Sequence, residues 1–242
     1  MRKTYFNWST GKDSSLALFK VLNEGIYEVS KLVTTVNGDY DRVSMHGLRT
    51  ALLEQQAEAL GLPLFKISLS GDISMKAYDA KMKEVMSALT NEGYEYGIFG
   101  DIFLEDLKKY REEKLAEVGV KGVFPLWKRD TRVLLEEFLD LGFKAITVCT
   151  NAKYLDDSFC GRVLDHDFIK DLPANVDVCG ENGEFHTFVF DGPIFSRPIP
   201  FDIGEKVQRG YTPSGNDDDD CFSKDASWDT SFWYCDLLPK KG

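Results

Sequence analysis

The sequence predicts an α/β protein: a parallel, twisted sheet covered by helices on both faces, followed by a smaller C-terminal region of mixed α/β character. Three observations carry this. Strand-like and helix-like segments alternate over residues 1–150 at lengths that fit parallel βαβ units. After Thr150 the texture changes, and short apolar runs sit between Gly, Pro and Asp. Hydrophobic residues make up 43% of the 242 residues, enough for a real core and too much for a disordered chain. This length suits one large domain or one domain with an appendage.

Thr4 to Trp8 is a short apolar run, the mark of a buried strand. Leu16, Phe19 and Leu22 then recur at helical spacing. Val29 to Val36 is rich in β-branched residues and reads as a second strand. Leu53, Ala57 and Leu60 mark a helix that Gly61 and Pro63 end, before a third strand from Leu64 to Leu69. Met75, Tyr78, Met82, Val85, Met86 and Leu89 form the cleanest helical stripe, closed by Asn91 and Gly93. Tyr96 to Gly100 is a fourth strand, backed by a helix with Leu104, Leu107 and Leu115. Leu134, Phe138 and Leu141 give another helix, ended by Gly142, and Lys144 to Cys149 is a further strand of the parallel sheet. Beyond it, Val176 to Cys179 and Phe185 to Phe190 belong to a small β-rich or mixed region. Asp217 to Asp220 read as a solvated acidic loop in a C-terminal tail.

The charge excludes some partners. Against 29 Lys and Arg stand 40 Asp and Glu, a net −11. Such a chain lacks the excess cation that phosphate-backbone neutralisation needs, so nucleic acid is not an expected partner, and an anionic membrane surface should repel it. No apolar stretch is long enough for a membrane span, and Met1 to Trp8 lacks a signal core. The five cysteines (Cys149, Cys160, Cys179, Cys221 and Cys235) form no C-x-x-C pair and read as reduced thiols. Together these features predict a cytoplasmic protein.

The most informative segment is Ser9-Thr10-Gly11-Lys12-Asp13-Ser14, between the first strand and the first helix. At that turn of a parallel sheet, free N–H groups and the positive end of the helix dipole point at a ligand. Gly11 lets the backbone approach closely, Ser9 and Ser14 offer hydroxyls, Lys12 a cation, and Asp13 a carboxylate for Mg²⁺ or for positioning a nucleotide. The segment is neither a Walker A loop, since Asp13 follows Lys12, nor G-x-G-x-x-G, since it holds a single glycine. The plain alternative is a helix cap supplied by Ser9 or Ser14.

This segment resembles the PP-loop, Ser-Gly-Gly-x-Asp-Ser, of the ATP pyrophosphatases, with Thr10 in place of the first glycine. Further words follow in order: Ser44-Met45-His46-Gly47-Leu48-Arg49, Gly100-Asp101-Ile102, Phe124-Pro125-Leu126-Trp127, Leu155 to Arg162, and Gly180 to Thr187. With them the chain resembles the diphthine–ammonia ligase family over most of its length. The resemblance implies a Rossmann-like, adenine nucleotide α-hydrolase (HUP-type) sheet. It also implies ATP-binding by residues 9–14; with the change of texture after Thr150, the chain is expected to divide into an ATP-binding domain over 1–150 and a substrate-side region over 151–242. The activity it implies adenylates a carboxylate with ATP and Mg²⁺, releases pyrophosphate, then amidates the acyl-adenylate with ammonia and releases AMP. Asn182 and His186 depart from the usual Glu-Gly-Gly-Glu-Phe/Tyr-Glu-Thr pattern. They look like a bacterial branch, for which a corrinoid or other small carboxylate is the alternative acceptor.

The remaining site residues each carry two readings. His46 and Arg49, three apart after the second strand, are placed to bind substrate; either can equally be a cap or surface residue. Asp101, past the fourth strand, can hold Mg²⁺ with Asp13 or fix an amine, or simply cap a helix; Arg111 can reach back toward phosphate or lie on the surface. Glu181 and Asn182 sit in a glycine-bounded turn on the substrate side. Glu184 and His186 share a strand face by alternation, so Glu184 is expected to raise the His186 pKa and ready it for proton transfer. A ligand-free polar hairpin is the alternative. Lys12 and Asp13 complete the catalytic set, and losing either is expected to lower turnover far more than stability. Thiolation of RNA and a nucleotide sensor without chemistry are rival functions. A homodimer is compatible with folds of this type.

Overall fold

The strand from Arg2 to Asn7 (β1) is buried on both faces, as its unbroken Thr4-Tyr5-Phe6 run demands; none of these three is more than 1% exposed. The computed structural model describes residues 2–43, 47–70, 73–211 and 230–240. In it β1 is the middle of a 6-stranded sheet. The chain continues through α1 (Lys12–Glu24), β2 (Tyr27–Asn37), β3 (Arg42–Val43), α2 (Thr50–Leu60), β4 (Leu64–Leu69), α3 (Met75–Asn91), β5 (Tyr96–Ile98), α4 (Glu105–Ala116) and β6 (Lys121–Val123). β1 pairs in parallel with β2 on one side and β5 on the other; β4 extends β2 and β6 extends β5, also in parallel. Among the described strands of this sheet, only β3 runs antiparallel, against the end of β2. This is the parallel sheet the sequence predicts, with the Rossmann-like character that the resemblance implies.

Alternation along the strands sorts two cores. Tyr5 and Val33 point into a cluster with Val85, Met86 and Leu89 of α3 and Leu115 of α4. Phe6 and Leu32 point the other way, onto Leu18 and Val21 of α1 and Leu52 and Leu53 of α2. That second cluster runs on into α5 (Thr131–Asp140) and a second sheet, where it takes in Ile146, Val148 and Phe188. The first helix is shorter on its apolar face than expected, for Leu22 is 48% exposed while Val21 is fully buried.

The second sheet is a correction. Lys144 to Cys149 is a strand, β7 (Lys144–Asn151), but it does not join the parallel sheet. It pairs antiparallel with β8 (Phe185–Asp191) and β10 (Thr230–Pro239), and β10 carries β9 (Phe201–Tyr211) at the edge. An apolar strand looks the same from sequence whether its neighbours run with it or against it; the pairing is fixed by partners that arrive later in the chain. β6 is three residues long and β9 is an exposed, charged edge, so neither announces itself. Val176 to Cys179 forms a turn, not a strand, and α6 (His166–Asp171) follows β7. Cys149, Cys160, Cys179 and Cys235 are buried free thiols. Asp217 to Asp220 and Cys221 lie outside the described residues.

Phe138 of α5 is 1% exposed and stacks on Phe143 with ring centroids 4.8 Å apart. Phe138→Ala should cost about 3–5 kcal/mol, read as a lower urea midpoint at an unchanged slope.

Candidate functional site

The segment from Ser9 to Ser14 follows β1 and leads into α1, at the carboxyl edge of the parallel strands. Trp8 N–H donates to the Val33 carbonyl at 2.9 Å, carrying the β1–β2 ladder up to the loop. Gly11 is the N-cap residue of α1, and no side chain of its own caps the helix. Neither Ser9 nor Ser14 does so: their hydroxyls lie 2.9 Å apart, and Ser14 Oγ also donates to the Gly11 carbonyl. Lys12 N–H instead donates to Thr187 Oγ1 on β8 at 3.1 Å.

Thr10 stands where the PP-loop pattern has glycine, and its backbone explains the preference. Its φ is 71°, in the left-handed region that a β-branched residue enters only under constraint. The constraint is a double grip on its carbonyl, which accepts from Val189 N–H of β8 at 3.0 Å and from Gln56 Nε2 of α2 at 3.1 Å. The Thr10 side chain is fully buried and its hydroxyl finds no partner among the described residues. Gly11 is needed for a different close approach than the one expected. A Cβ there would lie 3.2 Å from the Thr187 carbonyl, so its bareness admits β8. On the other side a Cβ on Gly100 would lie 2.9 Å from Ser14 N, so the end of β5 abuts the start of α1.

Lys12 is 4% exposed and meets both carboxylate oxygens of Asp13, at 2.7 and 2.9 Å. Burial pulls the Lys12 pKa down, but Asp13, with Cys179 and Glu181 behind it, outweighs this and lifts it above the usual lysine range. Burial pushes Asp13 up against the pull of Lys12. The bidentate contact is that of an ion pair. Removing Lys12 alone would leave the part-buried Asp13 carboxylate without its cation, which is destabilising. Loss of Lys12 is therefore expected to register in stability as well as in turnover.

Carboxylates gather around this pair. Asp101 is pushed upward by burial and by Asp13, against Arg111. The Arg111 Nε lies 3.1 Å from Asp101 Oδ2, but its N–H is not directed along that line, and both atoms are buried without a hydrogen bond among the described residues. Glu181 feels Asp13, Asp177 and Asp101; burial first, then these charges, raise it to about 8 against the pull of Lys12. Its turn is organised by Asp177, whose carboxylate accepts from the Cys179 and Glu181 N–H groups at 3.0 and 3.2 Å.

The expectation for Glu184 and His186 is reversed. Burial, then the Lys12 ammonium, lowers His186 to about 4, so its imidazole is neutral near pH 7. Glu184, 2% exposed, accepts from Asp177 N–H, Asn182 N–H and Asn182 Nδ2 at 3.0, 2.9 and 3.1 Å. Its oxygens and the Asn182 amide brace the turn before β8. Arg49 is already paired. It grips Asp236 of β10 with contacts of 2.6, 3.0 and 3.3 Å, and Arg42 shares that carboxylate at 2.9 Å. His46 lies outside the described residues. The structure thus brings Lys12, Asp13, Asp101 and Glu181 together, with His186 within reach of Lys12. Asp177, Thr187 and Gln56 escaped the sequence reading. Thr187 left a signal as the last residue of the Gly180 to Thr187 word, and Gln56 as an amide set on the buried stripe of Leu52, Leu53 and Ala57.

Comparison with known proteins covers nearly the whole chain. The family model described as diphthamide synthase N-terminal domain matches residues 2–122, and that described as diphthamide synthase C-terminal domain matches residues 130–213. A diphthine–ammonia ligase from Danio rerio is 26% identical over 222 residues, which is 82% of this chain and 86% of that one. Its counterpart from Homo sapiens is 28% identical over 183 residues, 69% of this chain and 67% of that one. Among solved structures, a predicted subunit of tRNA methyltransferase from Methanocaldococcus jannaschii aligns with a TM-score of 0.40 at 20% identity, over 60% of this chain and 77% of that one.

Thr10→Gly should stabilise the fold by about 1 kcal/mol, because release of the left-handed strain and of a buried, partnerless hydroxyl exceeds the added chain entropy of glycine. A rise in the urea midpoint checks this, and a fall would show that the surrounding grip carries no strain.

Proposed function

Because this chain belongs to the diphthamide synthase family, we propose that it is an ATP-dependent carboxylate–ammonia ligase that works at the Ser9–Ser14 loop. The acceptor is a diphthine-type carboxylate, the class named for its relatives. The observation that carries the reading is the loop itself: a Ser, Lys and Ser set at the head of α1, pinned by β8 and ringed by Asp13, Asp101 and Glu181.

The chemistry runs in two steps. A carboxylate oxygen of the acceptor attacks the α-phosphorus of ATP, and pyrophosphate leaves. Ammonia then attacks the acyl carbon, and AMP leaves. Lys12, Ser9 and Ser14 bind the phosphates and hold the α-phosphorus in line, which is catalysis by positioning and charge. Asp13 and Asp101 fit a magnesium ion. Both are part-buried carboxylates, Asp13 adds to the upward push on Asp101, Asp101 Oδ2 accepts no hydrogen bond among the described residues, and Mg²⁺ is commonly held by one or two carboxylates with substrate phosphates. When bound, the ion supplies positive charge to the departing pyrophosphate.

The second step needs ammonium to lose a proton. The carboxylates around Lys12 favour a small cation, and Glu181, raised to about 8, is a stronger base than an ordinary carboxylate. Its carboxylate takes the proton. His186, lowered to about 4, is a poor proton carrier at neutral pH. Base function therefore moves from His186 to Glu181.

ATP labelled at the α-phosphate, given with acceptor and ammonium, should yield AMP and pyrophosphate in step with amide; ADP and orthophosphate would refute the reading. The rate should climb with pH through about 8 as Glu181 ionises. Glu181→Gln should lower the rate and erase that limb. The same group predicts a stability trend. A carboxyl raised in the folded state stabilises fully below its unfolded pKa of about 4.5, and that contribution is lost as pH rises through about 8. Melting temperature should therefore fall more steeply between those values in the native protein than in Glu181→Gln.

A further inference from the structure

Gln56 has no place in the chemistry above, yet its side chain is spent entirely on the loop. It is fully buried on α2 among apolar neighbours. Its Oε1 accepts from Trp8 Nε1 at 2.8 Å, and its Nε2 donates to the Thr10 carbonyl at 3.1 Å and to the Val189 carbonyl at 2.6 Å. One amide thus holds the end of β1, the loop and β8 together. The Thr10 carbonyl is one end of a planar trans peptide whose other end is the Gly11 N–H, so the two point in opposite directions. Fixing the carbonyl toward α2 and β8 aims the Gly11 N–H the other way. Thr10 resists this arrangement, because its φ of 71° is strained for a β-branched residue.

We propose that Gln56 is a positioning residue for nucleotide binding: it locks the Thr10–Gly11 peptide in its strained orientation and so presents the Gly11 N–H to a phosphate of ATP. The inference rests on the reading that this loop binds ATP.

The strain supplies the test. Glycine adopts the left-handed region freely, so in a Thr10→Gly background the peptide needs the lock much less. Affinity for a non-hydrolysable ATP analogue is measured by calorimetry in the full chain, with and without Gln56→Met, in the native and Thr10→Gly backgrounds. Melting temperature is recorded alongside. In the native background Gln56→Met should weaken binding about tenfold, and in the Thr10→Gly background by less than about threefold. Melting temperature should fall by similar amounts in both. Gln56→Glu, which keeps the shape and the acceptor for Trp8 but loses the amide donor, serves where Gln56→Met does not fold, and should show the same background dependence. Equal fold-losses of affinity in the two backgrounds would overturn the inference and leave Gln56 a packing residue, with ATP binding intact. A native protein that binds no analogue would overturn both the inference and the proposed function.

Discussion

Val189 N–H and Gln56 Nε2 meet at the Thr10 carbonyl, 3.0 and 3.1 Å away, and the arrangement of the site descends from that meeting. The parallel sheet supplies the loop and the head of α1, but the loop's conformation is dictated from the second sheet. Thr187 satisfies Lys12 N–H, the bare Gly11 lets the Thr187 carbonyl approach, and Val189 anchors Thr10. Without β8 the strained Thr10 would have little reason to keep its backbone, and the turn would relax toward an ordinary helix start. The second sheet therefore acts on the site as a mould, while also carrying the turn that places Glu181.

Electrostatics at the site follow from crowding acids around one buried cation. Lys12 answers Asp13 directly and lowers Glu181 and His186 at longer range. Arg111 sits beside Asp101 without forming a well-directed hydrogen bond. Burial disfavours each of these charges, so small changes in who faces whom decide their protonation. The same Lys12 that keeps Asp13 in an ion pair pushes the neighbouring imidazole toward its neutral form. A cationic or phosphate-bound ligand entering this group would redistribute protons among all of them.

Much of the parallel half was legible in the chain. Leu64–Leu69 coincides with β4, the stripe from Met75 to Leu89 lies on α3, and the Ser9–Ser14 turn falls between β1 and α1. These are local signals: an apolar run bounded by turn residues, a helical period, a loop of distinct composition. What stayed hidden depends on distant partners. β7 has the composition of a parallel strand but pairs with β8 and β10, more than thirty residues further along. His186 shifts opposite to expectation because the fold buries it and, second, sets it near Lys12, 174 positions earlier. Arg49 has the chemistry of an anion clamp, and only the fold shows its fork already occupied by Asp236. Thr10, by contrast, was readable as an anomaly, since glycine is expected where a backbone turns left-handed, and the structure supplies the reason.

The contact between Lys12 N–H and Thr187 spans 175 positions. During synthesis, the parallel sheet around the loop can assemble from the first half of the chain, yet the loop acquires its working shape only when β8 has emerged and docked. The shape of the loop is then a late product of folding, a seal on a nearly finished molecule, and not a seed around which the N-terminal half condenses.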